Sequence, residues 1–195
     1  MRKRRRVEKT RALLDHAADL VVERGLEGLT MPALARRAGV AVGGLYRYFD
    51  DKEHLIAELQ IGAVRQLAEH LDGTTDIPSV ARGVVAFGAT HPTPLLLLQV
   101  AVSDPRQLLR DDLALRVAGE VEPILAHVDG LFADAVQRGE LTDAPARPRT
   151  LALWALVLGV LALRKQDRLE PAPERGSSAV LEEGLRALMR GWSAR

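Results

Sequence analysis

The sequence contains no cysteine, and only 4% of it is aromatic. The first absence excludes disulfides, thiolate metal sites and thiol-based redox sensing. Common catalytic patterns are missing as well: there is no GxSxG, no HExxH and no P-loop. The five histidines, at 16, 54, 70, 91 and 127, are scattered. His54 and Glu58 stand four residues apart, as do Asp15 and Asp19, a permissive metal spacing that is equally common on solvated helix faces. No metal, cofactor or catalytic site is expected, and the chain is not read as an enzyme. The longest uninterrupted apolar run, 151–163, has thirteen residues, against the ~20 of a membrane-crossing helix. The charged N-terminus has no apolar stretch behind it, so no secretory signal is expected. A soluble, cytoplasmic protein is the expectation.

Nor is there an excess of one charge. Across 195 residues, 27 Lys and Arg face 26 Asp and Glu, a formal net charge of +1. That average hides a split. Residues 1–52 carry twelve basic and seven acidic side chains, a balance of +5, and residues 53–195 carry fifteen and nineteen, a balance of −4. A small basic end on a larger acidic body is the pattern of a polyanion-binding module joined to something else, although a basic tail can also be merely solubilising.

Sustained two-residue alternation of β-branched side chains is absent too, and helical spacing dominates. The expected fold class is all-α, with about nine helices. A first helix over 9–24 carries Leu13, Leu14, Ala17, Leu20 and Val21 on one face and stops at Gly25, suited to a left-handed C-cap. Thr30 is a good N-cap for a short second helix that tolerates Pro32 in its first turn and ends at Gly39. A third helix fits 41–48. A fourth begins after Asp50 and Asp51 and runs to about residue 71. Helix, glycine turn, helix over 30–48 is a helix-turn-helix pattern. Further helices are expected at 78–89, 92–102, 107–138 (with a break or kink at Pro123), 149–166 and 179–192. The segments 140–148 and 170–178, rich in proline, read as loops.

Over residues 30–55 the elements Thr30, Ala35, Ala38-Gly39-Val40, Gly43, Leu45-Tyr46, Tyr48-Phe49, Lys52-Glu53 and Leu55 fall in one register. In this the chain resembles the TetR family of bacterial transcription regulators, and Gly25 and Gly28 fall where such sequences turn. The small residues Ala35, Ala38 and Gly39 let the second and third helices cross closely over Leu34, Val40, Leu45 and Phe49. The resemblance implies a DNA-binding domain over 1–56 and an effector-binding, dimerising helical domain over 57–195. It further implies a homodimeric, ligand-responsive repressor on a palindromic operator, whose third helix enters the major groove. Lys52 is carried over as a phosphate contact at a helix N-terminus, where a lysine otherwise opposes the helix dipole.

The expected DNA-facing residues are the basic start Arg2, Lys3, Arg4, Arg5 and Arg6, read as an arm ahead of the first helix, with Thr30, Val42, Gly43, Gly44, Tyr46, Arg47, Tyr48 and Lys52. Two departures from the family pattern stand out. Ala41 replaces the usual Ser or Thr cap, and Val42 and Gly44 lack polar side chains. Direct readers are therefore few: Arg47 toward guanine, Tyr46, Tyr48, and Val42 toward a thymine methyl. DNA shape and phosphate contacts are expected to carry more of the affinity. The same departures leave open a helical protein–protein module with a degenerate reading face, against which Lys52, the tyrosines and the basic start argue.

In the C-terminal body an apolar helix at 151–163 needs cover on every side. Leu181, Leu185, Leu188 and Trp192 add a second apolar stripe. Leu151, Leu158, Gly159 and these four are therefore expected at a dimer interface. A mostly apolar effector pocket is expected among Phe87, His91, Leu95, Leu98, Gln99, Val102, His127, Leu131 and Trp154. So few polar groups favour a small hydrophobic or aromatic effector.

Overall fold

The computed structural model describes residues 2–103, 108–164 and 176–194, with side chains from residue 4 to 101 in the first stretch. Nine helices lie among the described residues: α1 Arg2–Gly28, α2 Met31–Ala38, α3 Val42–Leu45, α4 Lys52–Leu71, α5 Ile77–Thr90, α6 Pro92–Ser103, α7 Asp111–Gln137, α8 Ala146–Leu163 and α9 Ser177–Trp192. The fold class is all-α, with an N-terminal helix-turn-helix.

Local signals set most boundaries. The Thr30 hydroxyl accepts from the Ala33 amide at 3.2 Å and caps α2, whose end at Gly39 adopts φ 64°, ψ 34°. That left-handed conformation carries a steric penalty for any residue with a Cβ, and glycine avoids it. Asp51 caps α4, its carboxylate accepting the His54 amide at 2.7 Å. Asp76 does the same for α5 through Ser79 at 2.8 Å. Three expectations are corrected. Helix α1 starts at Arg2, not residue 9, so the basic start is its first turns and not an arm ahead of it. Arg4 pairs with Glu8 one turn on, and the Thr10 hydroxyl donates to the Arg6 carbonyl, so side chains continue the helix upstream. Gly25 has φ 68° but an extended ψ of 178°; the chain kinks there and the helical span resumes to Gly28. The third helix is a single turn, followed by a turn through 46–48. With no side-chain cap from Ala41, nothing local extends it.

The chain divides into two compact units, Met1–Arg65 with Thr93–Glu120, and Gln66–Pro92 with Val121–Arg195. In the first, α1 to α4 close on Leu13, Ala17, Leu34, Leu45, Phe49 and Leu55, joined by Leu97, Leu109 and Leu113 from α6 and the start of α7. Three ion pairs link α4 to that start: Asp51 with Arg110, Glu58 with Arg116, and Arg65 with Glu120. Asp51, the cap of α4, and its members Glu58 and Arg65 stand seven residues apart, along one side of the helix.

The second unit packs α5, α8 and α9 together. Helix α8 spans 18 residues at a mean hydropathy of 1.4, with a third of it buried, so by length and composition it could cross a membrane. Counting only the uninterrupted apolar run misses this, because the helix begins five residues before that run. Its two charges are engaged inside the chain. Arg147 pairs with Glu122 and Asp129. Arg149, only 5% exposed, donates to the Thr142 hydroxyl at 2.8 Å and lies 5.7 Å from the Trp192 ring.

Candidate nucleic-acid interface

The reading head is assembled from the turn that Gly39 makes. Its chain reversal brings α3 across α2, with Leu45 and Phe49 fully buried beneath. Burying those two leaves Tyr46 and Arg47 between them facing outward. Tyr46 is 52% exposed and Val42 37%, and Arg47 is exposed beside them. Tyr48 is half-buried and packs on the core of the first unit. A Cβ at Gly43 would meet nothing within 4 Å, and one at Gly44 only the Arg47 guanidinium at 3.8 Å. Packing inside this chain therefore does not require glycine at either position, which leaves a surface that a DNA backbone or base edge can approach closely.

Arg5, Arg6 and Lys9 of α1 line a cleft of about 470 Å³ together with Arg47 and Tyr48. The Arg6 guanidinium donates to the Arg47 carbonyl at 3.1 Å, tying the start of α1 to the end of the reading turn. Among the described residues Arg5, Lys9 and Arg47 have no carboxylate partner, so the cleft keeps its positive charge. Arg37, by contrast, is engaged with Glu23 and Asp19 of α1. That hydrogen bond to Arg37 holds the Glu23 carboxyl below its ordinary range. Arg4 is paired with Glu8, and the side chains of Arg2 and Lys3 lie outside the described residues.

Lys52 sits in the first turn of α4 and donates to the Leu26 carbonyl at 2.9 Å, closing off the broken end of α1. An ammonium has three donors, so two remain for an anion. Three contacts here had no sequence signal. Lys52–Leu26, Arg6–Arg47 and Arg110–Asp51 each join residues more than twenty positions apart. The acidic pairs with metal-like spacing are ion-pair partners: Asp19 serves Arg37, and Glu58 serves Arg116. Among the described residues no group of three His, Asp or Glu could hold a metal.

The family model described as "Bacterial regulatory proteins, tetR family" matches residues 13–59, which hold this head. The transcriptional repressor KstR of Mycolicibacterium smegmatis is 32% identical over 149 residues, covering 70% of this chain and 67% of its own. The chain belongs to the TetR family. It is a DNA-binding transcriptional regulator. It spans about two thirds of the length of the KstR relatives it matches. The regulatory protein SCO4313 shares the fold at a TM-score of 0.74 and 25% identity, over 96% of this chain and 98% of that one. AibR, solved in complex with isovaleryl coenzyme A and operator DNA, aligns at a TM-score of 0.71 and 16% identity, over 92% and 97%.

The residues expected in an effector pocket are divided in this TetR-family chain. Leu95, Leu98 and Gln99 belong to the first unit, while Phe87, His91, His127, Leu131 and Trp154 belong to the second. The Val102 side chain lies outside the described residues. Phe87 is buried and stacks on His91 at 4.7 Å, with His70 5.5 Å away. The second unit holds an apolar cavity of about 20 Å³, lined by Leu71, Val84, Ile124, Leu153 and Trp154 among others. A more open cavity of about 200 Å³ shares Leu71 and Ile124 as wall and adds Asp72 and His127. His127 is held there against the Thr74 carbonyl at 3.1 Å.

The interface residues split in the same way. Leu181 and Leu185 are each 3% exposed within this single chain, so the stripe expected to meet a partner faces the chain's own core. Leu188 and Trp192 are half-buried, and the Trp192 ring meets Phe132 edge-on at 5.4 Å. What α8 and α9 leave uncovered is Leu151, 50% exposed, with Ala155, Gly159 and Val180, and Leu158 half-buried between them. Periodicity marked both stripes as buried; it carried no information on which surface covers each.

Proposed function

We propose that this regulator acts as a homodimeric repressor that releases a palindromic operator on binding a small hydrophobic effector, an acyl group in the first instance. DNA contact falls to residues 1–56, and effector binding and dimerisation to 57–195. Arg5, Lys9 and Arg47 meet phosphate, Tyr46 and Tyr48 reach sugar-phosphate, and Val42 lies against base edges, with Lys52 at the start of α4. The uncovered strip of Leu151, Leu158, Gly159 and Val180 meets its two-fold mate. The protein works in the cytoplasm, beside the DNA.

The observation that carries the effector class is the pair of cavities in the second unit. One is apolar, and the other, which adds Asp72 and His127, shares Leu71 and Ile124 with it as lining. An effector with an apolar tail and a polar head fits that pair once Leu71 and Ile124 turn aside. The isovaleryl coenzyme A seen with AibR is of this class. Binding there must favour the arrangement that does not hold DNA, or it shifts nothing.

Differential scanning of the full chain with isovaleryl coenzyme A, longer acyl coenzyme A thioesters and free coenzyme A tests this reading. An effector at a hundred times its Kd contributes ~2.7 kcal/mol, which for a chain of this size raises Tm by roughly 5–10 °C. At least one thioester is expected to do so and to release labelled operator DNA at the same concentration. Equal shifts from free coenzyme A would show that the acyl group is not what is recognised.

A further inference from the structure

The first turn of α4 carries more negative charge than its place beside a phosphate would allow. Asp50, Asp51 and Glu53 surround Lys52, three acids against one base. Near DNA such a cluster repels the backbone, and Lys52 alone leaves it net negative. The structure answers this from outside the helix-turn-helix. Arg110, the residue before α7, places its guanidinium 2.6 Å from the Asp51 carboxylate. Its own main-chain amide donates to Glu53 at 2.7 Å. The same guanidinium lies 3.0 Å from Asp112. The Arg110 carbonyl accepts the Leu113 and Ala114 amides, so the residue is fixed by the start of α7. Leu109 and Leu113 on either side are buried in the first unit's core.

Asp51 is held by two partners. The His54 amide, first, and then Arg110 keep its carboxyl below the ordinary range despite partial burial. It therefore stays ionised, and Arg110 is the cation in direct contact with it among the described residues. Asp50 is the acid of this turn left most open to solvent, with His54 3.3 Å away.

We propose that Arg110 is a positioning residue for operator binding: it neutralises Asp51 and anchors Glu53, so that Lys52 and the start of α4 can face phosphate. This rests on the reading that Lys52 meets DNA. It goes beyond that reading by making affinity depend on a residue some sixty positions beyond the helix-turn-helix.

The test is fluorescence anisotropy of full-length protein on operator DNA at low and high salt, with Arg110→Gln, Arg110→Lys, Glu53→Gln, Arg110→Gln combined with Glu53→Gln, and Lys52→Ala. Arg110→Gln is expected to weaken binding about tenfold at low salt and much less at high salt, because the lost contribution is Coulombic and screened. Arg110→Lys should recover most of the loss, and the loss should be the same in the Glu53→Gln background, because Glu53 bonds the main-chain amide, which Arg110→Gln retains. A purely structural role for Arg110 predicts a loss that is independent of salt and not rescued by lysine; that result overturns the proposal. So does unchanged affinity in Arg110→Gln while Lys52→Ala still weakens binding. If Lys52→Ala has no effect either, the placement of α4 at phosphate is itself wrong, and the proposal falls with it.

Discussion

Replacing Phe49 by alanine is expected to destabilise the protein by about 3–5 kcal/mol, the cost of removing a fully buried aromatic ring from a close-packed core. The ring has no exposed surface, and its edge meets the His54 imidazole at 6.2 Å. Its amide closes the reading turn onto the Leu45 carbonyl at 3.0 Å. Leu34, Leu45 and Leu55 share its cluster, and residues from α6 and α7 belong to it too. The loss therefore should not stay local. Urea denaturation should show a lower midpoint, and operator affinity should fall with it because α3 loses its floor. Val42→Ala, at an exposed position of the same turn, is expected to change stability by no more than about 0.5 kcal/mol. A Phe49→Ala protein as stable as the wild type would mean that this ring is not the floor of the reading head.

Removing the free charges of the cleft should have the opposite signature, a large effect on DNA and little on the fold. Arg5, Lys9 and Arg47 have no carboxylate partner among the described residues and line one cleft. Each phosphate they neutralise contributes about 0.9 to the slope of log affinity against log salt. The triple substitution Arg5→Ala, Lys9→Ala, Arg47→Ala is expected to reduce that slope by roughly 2 to 3 per protomer, about 5 for the homodimer, and to weaken binding by more than about a hundredfold at physiological salt. Its denaturation midpoint should stay close to that of the wild type, since these side chains are exposed. As a control, Arg4→Ala breaks an exposed pair with Glu8 and removes one charge beyond the cleft, so its effect should be much smaller. An unchanged slope in the triple variant would remove this cleft from the interface.

The reading head was legible in the sequence because its determinants are local. Thr30, Gly39 and Asp51 act on amides three residues away or on their own backbone angles, and each stands in the structure where the sequence put it. The start of α1 was not legible for the same reason reversed. Nothing in residues 2–6 caps a helix, and beside the local Arg4–Glu8 and Thr10–Arg6 contacts that turn is tied down by the reach of Arg6 to a carbonyl forty-one positions on. Arg110 is the same case, since no spacing rule links it to Asp51 or Glu53 across nearly sixty residues. The stripe through Leu181 and Leu185 shows a third limit. Periodicity identified an apolar face, but a face buried by a neighbour in the chain and one buried by a second copy look alike until the packing is known.

The N-terminal head is expected to bind one DNA sequence in preference to others, with phosphate contacts supplying most of the affinity. Anisotropy titration of the full chain against the DNA flanking its own gene and a scrambled duplex, each at 50 and 200 mM salt, measures both parts at once. At least ~10³-fold preference for the flanking DNA is expected, with a fall in affinity of several orders of magnitude between the two salt concentrations. Equal, weak binding to both duplexes at either salt concentration would contradict that reading.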